Sequence, residues 1–281
     1  MAEKRDYGFI YGDYDIIRGD DLTTLEKATQ LNLERGNKYL GVGVLDSELI
    51  VDGAIKTTEA RMRIMLAFRG VDFVFKVTAE QLNDRKKMIQ AAEQAYQEFL
   101  KTPKEPKKEV LTHENIYLPG TWDLLHGGHI ENLVEAAKMG KRLIVGVKSD
   151  DLVKAHKNRK PFLSAEERME IISHLKCVDR VIQSHSRNPQ IAVETIRSLY
   201  GIQIDAICVG SDLKADFEAM KKNIDPQIDI VYTERPKDGP STTKDMKKLQ
   251  ISGHTSLPGR MTKPKEASRP VLIVPDEQLE Q

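Results

Sequence analysis

The chain has 281 residues, 43 basic and 43 acidic side chains, 40% hydrophobic residues and two cysteines. At roughly 100 to 200 residues per domain, this length accommodates one large domain or two modest ones. A formal net charge of zero removes the long-range attraction that a nucleic-acid binder or a polybasic membrane protein relies on, so any phosphate site must be local.

The opening MAEKRDYGFIYGDYD carries charges where a signal peptide needs an apolar core, and no run approaches the roughly 18 apolar residues of a membrane span. Cys177 and Cys208 lie in apolar contexts and cannot build a disulfide framework or a zinc cluster, so a cytoplasmic protein without membrane insertion is expected. An apolar strand at 9–11 runs into a Gly-rich turn and then a helix ending near Gly36. A second strand follows at 39–44, then a loop, a helix, a third strand at 73–75, and a polar helix over 79–100. The Lys/Pro-rich stretch 101–113 reads as a linker. Beyond it the pattern restarts, with a strand at 116–118, a helix ending near Gly140, a strand at 142–147 and one at 181–182. A helix at 191–199, a strand at 204–210, a helix at 213–220 and a strand at 229–234 complete it. The Pro, Lys and Glu-rich tail, 254–281, is expected to be partly disordered or an arm over the surface.

The restart is a repeat. GDYDIIRGDDLTTL (12–25) answers GTWDLLHGGHIENL (120–133), LGVGVLDSEL (40–49) answers LIVGVKSDDL (143–152), and EARMRIMLAFRGVDFVF (59–75) answers EERMEIISHLKCVDRVI (166–182). Strands alternating with helices of this length imply parallel β-α-β units. The expected fold is therefore α/β, two Rossmann-like modules with parallel sheets: a truncated module over 1–100 and a longer one over 114–253.

His126 and His129 stand three apart where a strand, a tight turn and a helix meet, which places both imidazoles on one side of the first turn. A helix N-terminus offers unpaired N–H groups and a positive dipole end to a phosphate, and Gly127 and Gly128 permit close approach to the backbone. Ser241, Thr242, Thr243 and Lys244 follow DGP and precede a helical run, so they can cap a helix and hold a second phosphate. Lys154, Lys157, Arg159 and Lys160 form a basic loop after the second strand of the longer module, a clamp for an anionic substrate.

These motifs together resemble the cytidylyltransferases, with the glycerol-3-phosphate and ethanolamine-phosphate enzymes most similar. The matching segments are GTWD (120–123), HGGH (126–129), EER with VDRVI (166–168 and 178–182), GSD (210–212) and RPKDGPSTT (235–243). The resemblance implies a nucleotidyltransferase in which His126 and His129 steady the α-phosphate and Lys157 holds phosphate. Its nucleotide-binding set would be Gly120, Thr121, Trp122, Asp123, Gly128, Asp212, Arg235, Ser241, Thr242 and Thr243. Arg159 and Lys160, with Arg187 from HSRNPQ, would take the substrate phosphate. The substrates would be CTP with Mg²⁺ and a small phosphomonoester, giving a CDP-alcohol and pyrophosphate. The ending DGPSTTK also resembles sugar-phosphate adenylyltransferases, which keeps ATP open, and an inactive nucleotide-binding regulator is a further alternative. GSDL stands where the family has GDDW, Lys176 replaces an arginine, and one extra residue separates Arg235 from Ser241.

In the first copy, Arg18 and Asp21 occupy the histidine positions, and Asp13 and Asp20 replace Thr121 and Gly128. Three carboxylates in the turn would repel a triphosphate by on the order of a kcal/mol each, so this copy is expected to bind none. Members of the family resemble one another in pairing around the VDxVI segment. The first copy is accordingly expected to act as a built-in dimer mate, with further homodimerisation open.

Overall fold

A computed structural model describes residues 6–50, 54–102, 111, 113–234, 245 and 273. The first half contains β1 (Tyr7–Gly12), α1 (Gly19–Glu34), β2 (Tyr39–Leu45), α2 (Thr58–Leu66), β3 (Phe73–Val77), α3 (Ala79–Asn83) and α4 (Arg85–Lys101). The second contains β4 (His113–Gly120), α5 (Gly127–Ala137), β5 (Gly140–Lys148), α6 (Asp150–Lys157), α7 (Ala165–Ser173) and β6 (Arg180–Ser184). It continues with α8 (Pro189–Tyr200), β7 (Ala206–Gly210), α9 (Lys214–Met220) and β8 (Asp229–Thr233). The chain divides into two compact units, Met1–Glu105 with Thr243–Gln281, and Pro106–Thr242.

Each unit is built on a parallel sheet. The first sheet has three strands in the order β1-β2-β3, and the second has five in the order β6-β5-β4-β7-β8. The α/β class with two parallel-sheet modules, the first truncated, is borne out. Apolar runs such as LIVGV (143–147) are buried throughout, as strands covered by helices on both faces require. In the second unit Ala192, Val193 and Ile196 of α8 join Tyr117, Ile144 and Ile207 of the sheet in one core cluster. In the first, Met88, Ala92 and Tyr96 of α4 pack with Phe73 and Phe75.

Local sequence explains the helix limits. Ser164 and Glu167 form a reciprocal capping box that starts α7. Asn188 caps α8 ahead of Pro189, and Gly201 ends that helix at φ +66°.

Three expectations differ. Lys154 and Lys157, expected in a loop with Arg159 and Lys160, lie on α6, and only the latter two follow its Asn158 cap. The helix expected over 79–100 is broken at Asp84, whose carboxylate accepts from the amides of Lys86 (3.0 Å) and Lys87 (3.3 Å) and so caps a new helix. Gly140 is not the helix cap expected; α5 closes at Lys138, and Gly140 opens β5. A Cβ there would stand 2.4 Å from a side-chain carbon of Ile116, so close strand packing, and not a left-handed turn, requires the glycine.

The edge of β1 away from β2 carries an antiparallel bridge from Phe9 to Ile273, with hydrogen bonds of 2.9 and 2.8 Å. In the second unit the corresponding side of β4 is taken by β7. Among the described residues, no helix is long and apolar enough to cross a membrane.

Candidate active site

The order of the second sheet reverses at β4, where the chain leaves toward β5 and β6 on one side and toward β7 and β8 on the other. Such a switch point opens a crevice outside the carboxyl ends of the strands, where ligands of open α/β sheets bind. The turn after β4 leads from this crevice into α5.

His126 is the N-cap of α5, in extended conformation (φ −137°, ψ 169°). Its Nδ1 accepts from the backbone amide of His129 at 3.3 Å. A nitrogen that accepts carries no proton, so in the neutral ring Nε2 carries it and can donate. The two rings stack with centroids 3.7 Å apart and planes at 14°. Two imidazolium charges that close would repel by about 4 kcal/mol at an effective dielectric of about 20, so the pair suits one positive charge shared beside an anion. His126 is buried and His129 half-buried. Gly127 and Gly128 have ordinary negative φ, so only their missing side chains serve close approach.

Several residues expected to touch the nucleotide help build the frame around the histidines. Trp122 is buried, its indole N–H donates to the Gly146 carbonyl at 3.0 Å, and its ring lies edge-on to His129 at 5.4 Å. Gly120 is required by that ring, since a Cβ would stand 2.3 Å from it. Trp122 and Leu124 hold positive φ of 58° and 50°, a strained turn of the kind that accompanies functional sites. Asp123 is fully buried. Its two oxygens accept from the amides of Phe162 (2.9 Å) and Leu163 (3.1 Å), so Asp123 pins the following loop. Thr121 is half-buried, and its carbonyl accepts from Arg168.

Arg168 was legible only as part of a motif. It is fully buried and donates to the carbonyls of Leu163 (3.0 Å) and Thr121 (2.6 Å) and to the Asp150 carboxylate. It thereby ties the turn after β4 to the starts of α6 and α7. The first unit repeats the device: Arg61, fully buried, donates to the Asp13 carbonyl, and Asp15 accepts from Ile55 (2.8 Å) and Lys56 (2.9 Å). A charged pair kept in both copies, while the histidines are not, is the signal that marks it as scaffold.

The basic residues part company. Lys157, Lys160 and Arg187 are exposed, whereas Arg159 lies 3.6 Å from Asp123 and donates to the Lys160 carbonyl at 3.3 Å. Lys148, half-buried at the end of β5, went unnoticed in the sequence. Burial, with Lys157 and Arg187 nearby, holds its ammonium below the usual lysine range. Asp212 is exposed on the turn after β7, its carboxylate folded back over Gly210. Arg235, Ser241, Thr242 and Thr243 lie outside the described residues. Cys208 is buried, and burial pushes its thiol up to about 12, which leaves it inert as a nucleophile.

In the first unit, Asp21 replaces His129, and its carboxylate accepts from the Arg18 amide at 2.9 Å. Burial, and then Asp13 and Asp20, push its carboxyl up to about 6, so negative charge at this position is disfavoured. This sheet stops at three strands and has no order reversal among the described residues.

The parallel sheet, its switch point and the paired histidines at a helix N-terminus define a nucleotidyltransferase-type module. Residues 117–256 match the Cytidylyltransferase-like family, and this segment belongs to it. Over 133 residues the chain is 35% identical to the bifunctional protein HldE of Escherichia coli O1:K1 / APEC, covering 47% of this chain and 27% of that protein. Over 102 residues it is 37% identical to the bifunctional protein HldE of Hydrogenovibrio crunogenus, covering 36% and 20%. The chain thus spans little more than a quarter of the first relative and a fifth of the second. Among solved structures, the lipopolysaccharide core biosynthesis protein from Thermoplasma volcanium GSS1 is 28% identical with a TM-score of 0.37, covering 44% of this chain and 98% of that chain.

Proposed function

We propose that the second unit transfers a nucleotidyl group from a nucleoside triphosphate, bound as its Mg²⁺ complex, to a small phosphomonoester. An anionic oxygen of the acceptor attacks the α-phosphorus in line, the bond to the β-phosphate bridge breaks, and pyrophosphate leaves. No proton is required of the attacking oxygen, so the protein's part is positioning and charge stabilisation. His126 Nε2 and His129 donate to the α-phosphate as charge builds on its equatorial oxygens. Lys157 neutralises phosphate, and Thr121, Asp212, Arg235 and Ser241–Thr243 face the nucleotide. The observation that carries this reading is the stacked imidazole pair at the start of α5, over the switch point.

CTP with a phosphorylated alcohol of the glycerol 3-phosphate or ethanolamine phosphate type is the first reading. The DGPSTTK ending (238–244) supports the second, ATP with a sugar phosphate. Asp212 does not decide between them, because its carboxylate can accept from the exocyclic amine of cytosine or of adenine. The first unit, which lacks the imidazoles and, among the described residues, the switch point, binds no triphosphate in this reading.

The test is pyrophosphate release from CTP or ATP across a panel of phosphorylated alcohols and sugar phosphates, repeated with His126→Ala and His129→Ala. One donor and acceptor pair should turn over, and both variants should lose that activity. Release that survives both substitutions, or no release with any pair, defeats the proposal.

A further inference from the structure

Trp122 and Tyr14 hold the same place in the two copies, within GTWD and GDYD. Both have positive φ, 58° and 53°, and both are buried, at 4% and 3% exposure. Each ring folds back over the glycine two residues earlier: a Cβ on Gly120 would stand 2.3 Å from the indole, and one on Gly12 would stand 2.9 Å from the phenol ring. A left-handed backbone at a bulky aromatic is strained and persists only where its surroundings fix it. The two turns are therefore built alike, and they differ in where the polar end of the ring goes.

The indole N–H of Trp122 donates to the carbonyl of Gly146, inside β5, at 3.0 Å. The Tyr14 hydroxyl meets no hydrogen-bond partner among the described residues, although a buried donor without a partner is costly. The turn thus forms with or without this bond. The bond occurs in the copy that carries the imidazoles, where the indole lies at 65° to the His129 ring with centroids 5.4 Å apart. In the first copy Asp21 stands in the place of His129.

The contacts make one chain from the sheet to the proposed chemistry. Gly146 holds the indole, the indole meets His129 edge to face, and His129 stacks on His126, the cap of α5. An edge-to-face pair has a preferred angle and so restricts the plane of each ring. We infer that Trp122 is a positioning residue of the transfer site, acting through His129: it keeps that imidazole in the stack, so that both rings meet the α-phosphate together. This rests on the transfer reaction proposed above. A donor fixed in advance needs no reorganisation as charge builds in the transition state, and the buried indole offers no open face to a base. Its effect belongs to kcat and not to triphosphate affinity.

The test uses the full chain. Trp122→Tyr places in the second unit the side chain with which the first unit already folds, so it should melt within a few degrees of the parent. With the donor and acceptor pair that turns over, kcat should fall roughly tenfold or more while the triphosphate KM stays within about twofold. Tyr14→Phe, the same position in the first unit, should change neither. A second readout is independent of turnover: in proton–carbon correlation spectra the His129 Cε1–H signal of Trp122→Tyr should broaden as the ring exchanges between rotamers, with the His113 signal unchanged. Parental kcat in Trp122→Tyr, a triphosphate KM that rises more than kcat falls, or an equal loss in Tyr14→Phe overturns the inference. If no pair turns over, the transfer reading fails by itself, and the spectrum alone decides whether Trp122 positions His129. A His129 signal as sharp as the parent's overturns the positioning in either case.

Discussion

His126 has two jobs that substitution can separate. Its Nδ1 caps α5, and in the proposed reaction its Nε2 donates to phosphate. Asparagine can keep the cap, so His126→Asn should melt within a degree or two of the parent, whereas His126→Ala should lose about 1 kcal/mol of stability. Both should lose a factor on the order of 10² to 10³ in kcat, the cost of one preorganised donor. A thermal melt paired with pyrophosphate release reads the two effects, and an asparagine variant at parental rate would show that the ring only caps. Arg168→Met strips two buried carbonyls of their donor, with Asp150 left partly exposed to water, and should cost about 2 to 4 kcal/mol in denaturant unfolding. Asp21 supplies a pH signature. Its folded value of about 6 lies above the ordinary carboxyl value of 3.8, so the unfolded chain ionises first and stability falls as pH rises from about 4 to 6. Asp21→Asn should match the parent below about pH 3 and exceed it by about 3 kcal/mol above about pH 7. A pH-independent difference would refute that assignment.

Strands and helices were legible from the apolar pattern, but their exact ends were not. The helix expected at 191–199 runs from Pro189 to Tyr200, because Asn188 caps it and Gly201 stops it, and the box of Ser164 and Glu167 sets a start that the apolar pattern left undrawn. The polar stretch 79–100 hid its break, because Asn83 and Asp84 interrupt no apolar periodicity; only the cap geometry shows that Asp84 starts α4. Asp84→Ala should therefore cost about 1 kcal/mol, seen as a lower melting temperature, with the kinetics of the second unit unchanged. Burial of charge was the least legible feature. Asp123 and Trp122 sit in a motif that reads as phosphate contact, yet their polar atoms are spent on Phe162, Leu163 and Gly146. Lys148 stood in an apolar run, and only the register of β5 on β6 brings it near Arg187.

At the scale of the molecule, duplication separated frame from chemistry. Asp15 with Arg61, and Asp123 with Arg168, hold the same turn in both units, while the stacked imidazoles and the sheet's order reversal occur in the second alone among the described residues. The central claim is that the reacting phosphorus is gripped by His126 and His129. A crystal grown with a non-hydrolysable triphosphate analogue and Mg²⁺ tests it most directly. The α-phosphate should lie within hydrogen-bonding distance of both rings; density beside Arg18 and Asp21, with none at the paired histidines, would contradict it.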